Sequence, residues 1–412
     1  MRRFIGAGRL LFLLCLAALI WPLCSLVAAD SLAASAPEKA LQWWPWHAEA
    51  MVRTTKALVI SEGSAEETER LAKRALANSP LAGSAYAALA AVAEQRGEVS
   101  RAVRLYGIAA AHTPRDRLPH LWLTDHAARN RDFPLLIAHL DQLFRLSPDR
   151  SAALLQTLAS LAGDPQGRQA LIEALMQAPP WRGPLLAGLA APDQPLEVIH
   201  SLFDALRHAP SPLTSKERQQ WGVRLLREGL VAQAHLLWVE GLEPARRATV
   251  GNVHDGGFEF PPDHGGFGWQ FSRVPGAVVR QQGGAGVSGR QALVVEFQHR
   301  HVPFRHVRQV LALPPGDYRL SGRVRLDDLR TDRGLVWSVR CGSGEMAQTP
   351  MFSGSAPWRA FEVDFSIPEA PNCRAQQLLL MLPARVKRER WIGGRAWFDD
   401  LRIQRIAAAD QN

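Results

Sequence analysis

Cysteine is scarce: the chain has four in 412 residues. Cys15 and Cys24 fall in an apolar N-terminal stretch, leaving Cys341 and Cys373 for everything beyond it. In an exported domain that pair reads as one disulfide; the alternative is two buried free thiols. Lysine all but vanishes after residue 245, where Lys387 stands alone among arginines. Catalytic signatures are missing as well. There is no Gly-x-Ser-x-Gly elbow and no His-Glu-x-x-His, which excludes the hydrolase classes those motifs serve. Asp327-Asp328 is a poor glycoside-hydrolysing pair, because adjacent strand residues point to opposite faces. No long apolar run follows Ala29, so no second membrane span is expected.

Nearly half of the residues (47%) are hydrophobic, enough for sizeable cores in two or three domains. The net charge of +9 is unevenly placed. Residues 246–412 carry 23 Lys+Arg against 16 Asp+Glu, a net of +7. Arginine grips carboxylates and phosphates through two parallel hydrogen bonds, so an anionic partner fits that half. The competing explanation is base composition, since an Arg- and Ala-rich chain is what a GC-rich genome encodes.

Arg2, Arg3 and Arg9 precede an apolar run from Leu10 to Ala29. Twenty helical residues can cross a bilayer, and the positive end stays inside. The expectation is a bacterial inner-membrane protein with one N-terminal span and its bulk in the periplasm. Val27-Ala28-Ala29 also fits signal-peptide cleavage, with Pro22 breaking the helix before it, which would leave a soluble periplasmic product.

Pro80, Pro114 and Pro148 recur every 34 residues, each closing a helical pattern. From Gly83 to Pro114 the chain places Tyr86, Leu89, Ala90 and Ala93 in one helix, turns at Gly97, and places Ala102, Tyr106 and Ala109 in the next. This unit resembles the tetratricopeptide repeat. The unit from Arg117 to Pro148 is degenerate, with Arg131 at the turn glycine. A later one opens on a Thr214/Glu217 capping box and continues through Trp221, Gly229, Ala234 and Trp238. The resemblance implies an α-solenoid that docks protein and does no chemistry, with Tyr86, Tyr106, Trp122 and Trp238 packed inside it.

Near residue 246 the helical period gives way to alternation. Tyr318, Leu320, Val324 and Leu326 alternate with arginines, and Leu335, Trp337, Val339 and Cys341 follow the same rule. About nine or ten strands are expected, as a sandwich or barrel. Gly257-Phe258-Glu259, Trp269, Leu313-Pro-Pro-Gly-Asp-Tyr318, Trp358 and Trp397-Phe-Asp399-Asp400-Leu401 occur in an order that resembles jelly-roll carbohydrate-binding modules of the galactose-binding-like fold. That resemblance implies a structural calcium ion held by Glu259 with Asp399 or Asp400; ordinary hydrogen bonds at these carboxylates are the alternative. It also implies a sugar-stacking aromatic. Trp391, in the polar run beside Arg388 and Arg390, is the candidate, whereas Trp269, Trp337, Trp358 and Trp397 suit core positions.

Gly284-Ala-Gly286-Val-Ser-Gly289 matches a dinucleotide fingerprint, but a strand follows it instead of a helix, so it reads as a connection. The histidines at 254, 264, 299, 301 and 306 lack ligand spacing and read as loop and edge residues.

The fold expected is multidomain α plus β: a membrane or signal helix over 1–29, a tetratricopeptide-like solenoid over 30–245 and an antiparallel jelly-roll sandwich over 246–412. The architecture resembles accessory proteins of bacterial exopolysaccharide assembly. It implies a non-enzymatic factor whose partners are assembly proteins of the envelope and acidic polysaccharide, with no nucleic acid. A purely structural scaffold and a glycan-active enzyme remain the alternatives.

Overall fold

The computed structural model describes residues 20–60, 64–263, 266–342 and 344–406. The chain divides into two compact units. One comprises Met1–Gly188 and Leu196–Ser211; the other comprises Leu189–Pro195 and Pro212–Asn412. Helices fill the first half and two antiparallel sheets the second, so the chain is a multidomain α plus β protein.

The N-terminus requires a correction. A helix over residues 20–33 (α1) carries the end of the apolar run. Among the described residues no helix is long and apolar enough to cross a membrane, which overturns the single-span inner-membrane placement. Ala29 and Ala33 are buried with Ala40 and Ala50 of the next two helices, α2 (Pro37–Trp43) and α3 (Ala48–Ile60). The end of the apolar run therefore packs on protein. Residues 1–19, with Cys15, lie outside the described residues, and Cys24 is a free, exposed thiol.

Helix pairs follow. After α4 (Ala65–Asn78) come α5 (Gly83–Gln95) and α6 (Val99–His112), then α7 (Arg117–Arg129) and α8 (Phe133–Leu146). Small residues let α5 and α6 approach: Ala90, Ala93, Ala102 and Ala109 are buried around Tyr106. Tyr106 stacks on Trp122 of α7 with ring centroids 4.6 Å apart. The turn between α5 and α6 needs a left-handed residue, and Gly97 supplies it at φ 75°. Arg131 takes the same conformation at φ 55° between α7 and α8. A side chain there costs about 1–2 kcal/mol. Arg131 partly offsets that cost by pairing with Asp164 and lying over the Phe133 ring. Between α7 and α8, His120 and His139 face each other Nδ1 to Nδ1 at 3.0 Å, with His120 Nε2 against the Pro114 carbonyl. The first unit continues through α9 (Ser151–Ser160), α10 (Pro165–Met176), α11 (Arg182–Leu189) and α12 (Leu196–Arg207).

The second unit begins with another helix pair, α13 (Ser215–Arg227) and α14 (Val231–Glu240), and a short α15 (Pro244–Arg247). The Thr214/Glu217 capping box forms, and Gly229 makes the left-handed turn at φ 74°. This pair packs on the sandwich, where Trp238 donates from Nε1 to Asp263 at 3.1 Å and meets the His254 ring edge to face.

Among the described residues ten strands then form two five-stranded sheets. They are β1 (Gln270–Phe271), β2 (Ala277–Gln282), β3 (Ala292–His301), β4 (Val307–Leu311), β5 (Gly316–Thr331), β6 (Val336–Cys341), β7 (Gly344–Gln348), β8 (Gly354–Ile367), β9 (Gln376–Met381) and β10 (Trp391–Arg405). One sheet runs β1-β4-β9-β6-β7 and the other β2-β3-β10-β5-β8. The inward residues of both make one core with Trp269, Trp337, Tyr318, Phe352 and Phe398 at its centre. Each fully buried side chain of this size contributes about 1.5–3 kcal/mol. Cys341 and Cys373 are joined in a disulfide, both buried, with Cα atoms 4.8 Å apart. Two of the expected core tryptophans lie elsewhere. Trp397 is buried on the outer face of the second sheet with Ala292 and Val294, and Trp358 packs beside it. The outward residues of β10 alternate with Phe398, so the parity of Trp397 sets it against the Gly-rich connection from 283 to 290 instead of the core.

Candidate functional site

Three neighbouring strands break their regularity at one level. His299 on β3 and Asp328 on β5 have φ of 52° and 50°, and Gly394 on β10 has φ of 93°. The β10 register shifts between Ile392 and Gly394 against β3. A methyl group on Gly394 would fall 2.0 Å from the Asp328 carbonyl oxygen, and one on Gly393 would fall 2.2 Å from the His299 ring. The two glycines therefore let β5 approach closely and let the imidazole lie across β10. Bulges of this kind re-aim side chains at the ends of sheets. Trp391, the first residue of β10, lies just before this break and pairs with His301 across the ladder. Its ring is 36% exposed and meets His299 edge to face, with centroids 6.0 Å apart.

The connection before Trp391 is fixed by one carboxylate. Glu389 accepts from the backbone N–H groups of Arg385 at 2.8 Å and Val386 at 3.4 Å, and pairs with Arg333 at 2.6 Å. Arg333, then the Arg385 N–H, holds the Glu389 carboxyl at about 2. Val302 N–H donates to the Arg390 carbonyl at 2.8 Å, and Leu382 N–H to the Phe304 carbonyl at 2.9 Å. These bonds lay 382–390 alongside 300–305. Arg388 and Arg390 precede Trp391 in this connection. The structure adds Arg300, Arg305, Arg385 and Lys387. None of these six cations has a carboxylate in ion-pair reach among the described residues. Several other arginines of the second sheet do, Arg319 with Asp364, Arg323 with Asp399 and Arg325 with Asp327, although Arg359 and Arg405 there do not among the described residues. Sequence reasoning missed the first two cations because 299–306 reads as a solvated edge.

The carboxylates expected at a calcium site converge on nitrogen. Glu259 Oε1 accepts from the N–H groups of Arg290 at 2.7 Å and Gln291 at 3.2 Å, and its Oε2 pairs with Arg290 Nε at 3.3 Å. Asp399 is fully buried. Its Oδ1 accepts from Asp400 N–H at 2.8 Å and its Oδ2 from Ser288 N–H at 2.7 Å and Arg323 Nη2 at 3.0 Å. Asp400 Oδ2 accepts from Arg323 Nε at 2.8 Å. Burial pushes the Asp399 carboxyl up, against the pull of the Ser288 N–H. Calcium takes six to eight oxygen ligands, and oxygens already faced by N–H groups do not supply them. These residues do not fit a calcium ion. Among the described residues, no three His, Cys, Asp or Glu side chains gather where they could hold a metal.

Nearby, Asp255 accepts from the N–H groups of Glu259 and Phe260, and burial raises its carboxyl to about 6. The connection from 283 to 290 runs between β2 and β3 without a helix, as its sequence context requires. Asp327 pairs with Arg325 and accepts from Trp397 Nε1 at 3.0 Å, while Asp328 is exposed beside Arg330.

No protein-family model matches the chain, and no curated protein matches it. Among solved structures, one described as CBM4 structure and function is 15% identical, covering 37% of this chain and 99% of its own, with a TM-score of 0.28. TmCBM61 in complex with beta-1,4-galactotriose is 18% identical, covering 38% and 100%, with a TM-score of 0.27. The Cut9–Hcn1 hetero-tetramer of APC/C is 18% identical, covering 53% of this chain and 44% of its own, with a TM-score of 0.27.

Proposed function

We propose that the chain is a non-enzymatic interaction protein of exopolysaccharide assembly, whose sandwich holds a glycan at Trp391 while its helix pairs dock an assembly protein. One observation carries the reading. Among the described residues of the second unit, Trp391 is the tryptophan exposed to solvent, and it lies beside a break in the strand pairing. A sugar has an apolar ring face and polar edges. An indole stacks on the first, and Arg388 and Arg390 lie beside it for the second. The helix pairs support the other half of the reading, since stacked pairs of this type expose a continuous surface of the kind that holds a protein.

A glycan microarray probed with the full chain and with Trp391→Ala tests this. Signal on a subset of glycans, lost in the variant at unchanged melting temperature, is the expected result. An array on which the intact protein gives no signal, or on which the variant gives the same signal, contradicts it.

A further inference from the structure

We infer that the glycan taken at Trp391 is a polyanion, with carboxylates repeated along its chain, that runs over 300–305 and 385–390 beyond the single sugar on the indole. This inference rests on the reading that Trp391 holds a glycan.

Composition alone does not account for the charge. Arginine is abundant throughout the sandwich, yet on the outer face of the second sheet Arg319, Arg323 and Arg325 each meet a carboxylate within 3.0 Å. At the Trp391 end, Arg333 also has its partner, Glu389, and that carboxylate is then spent on shaping the loop. Arg300, Arg305, Arg385, Lys387, Arg388 and Arg390 have none among the described residues. All but Arg390 are exposed. Like charges gathered on one end repel each other and are stabilised by an anion laid across them.

The cations lie on two neighbouring segments at this end of the sheet. Arg388 and Arg390 precede Trp391 by three residues and by one, whereas Arg300 sits opposite the buried Ile392 and so takes the face away from Trp391, which pairs with His301. The stem of Arg300 crosses Gly276, where a methyl group would fall 3.1 Å from its Cδ. Arg305 follows Phe304, which Leu382 bonds. A lone anionic sugar on Trp391 leaves most of these groups unanswered. A chain of uronate-like residues meets them in succession. Each exposed ion pair adds little in water, roughly a few-fold in affinity. Useful binding then comes from many contacts along one polymer, and it is screened by salt.

The test measures binding of the full chain to immobilised alginate (a polyuronate), dextran (a neutral glucan) and double-stranded DNA, at about 50 and about 500 mM salt. Arg300→Glu with Arg305→Glu and Trp391→Ala are compared with the unaltered protein, all checked for equal melting temperature. The inference expects alginate to bind at least roughly tenfold tighter than dextran and to weaken at least roughly tenfold in high salt. It expects each variant to lose roughly tenfold or more on alginate. Equal, salt-independent binding of both glycans that still needs Trp391 overturns the polyanion inference and leaves the glycan reading standing. Absence of binding to either glycan overturns both. DNA bound as tightly as alginate, with no effect of Trp391→Ala, marks a general anion surface and overturns the inference.

Discussion

The Arg323 guanidinium donates to the buried Asp399 carboxylate at 3.0 Å, and its Nε holds Asp400 at 2.8 Å. One side chain of β5 thereby ties down the last strand at its bulge, where Asp400 has φ of 54°. It also lies over the Trp358 ring, 5.1 Å from the centroid.

Removing that guanidinium leaves Asp399 charged and buried without its cation. Breaking such a pair costs about 3–5 kcal/mol when both groups are buried. Arg323 is 32% exposed, so about 2–3 kcal/mol is expected for Arg323→Ala by urea denaturation. Because nitrogen occupies the carboxylates, EDTA should leave the melting temperature of the unaltered protein unchanged. A fall on chelation, restored by calcium, contradicts the arrangement.

The disulfide joins residues 32 apart. In the chain-entropy model a loop of that length stabilises by about 3–4 kcal/mol. Cys341→Ala with Cys373→Ala should lower stability by that order. Thiol labelling of the unreduced, denatured protein should find neither cysteine, and quantitative labelling of both contradicts the bond.

His139 gives the first unit an acid sensitivity. Burial, then the neighbouring His120, lowers its pKa to about 4, and burial lowers that of His120 also, against the Asp116 charge. Unfolded histidine titrates near 6.5. The unfolded chain therefore binds more protons between these values, so stability is full above about 6.5 and is lost as pH falls toward 4. Melting temperatures measured from pH 7 to 4 should fall less steeply for His139→Gln than for the unaltered protein. Parallel curves contradict this assignment.

Much of the fold was legible because it rests on periodicity. The 34-residue spacing of Pro80, Pro114 and Pro148 follows the helix pairs α5–α6 and α7–α8, and alternation located the core residues from Tyr318 to Leu382. Parity failed for Trp397 because a strand buried on both faces presents apolar residues on either side. The Cys341–Cys373 pairing was legible from the scarcity of cysteine. Trp391, Arg388 and Arg390 were visible as one run of sequence. Arg300 and Arg305 were not, since they reach the site only through strand pairing across the sheet. The calcium expectation came from the resemblance to carbohydrate-binding modules, and the guanidinium of Arg323 that meets Asp399 sits 76 residues away from it in sequence. The apolar run to Ala29 read as a span because its length was counted without knowing that Ala29 packs on Ala40 and Ala50.

On the proposed function Trp391 stacks on a sugar, whereas Trp337 packs the core. Trp337 is fully buried, and its Nε1 has no hydrogen-bond partner among the described residues. Its truncation to alanine should cost about 3–5 kcal/mol. Affinity electrophoresis of the full chain and of Trp391→Ala through gels with and without an acidic polysaccharide is the most direct measurement. The account predicts that the polymer retards the unaltered protein and that folded Trp391→Ala migrates as though no polymer were present. Equal retardation of the two, or none of either, contradicts it.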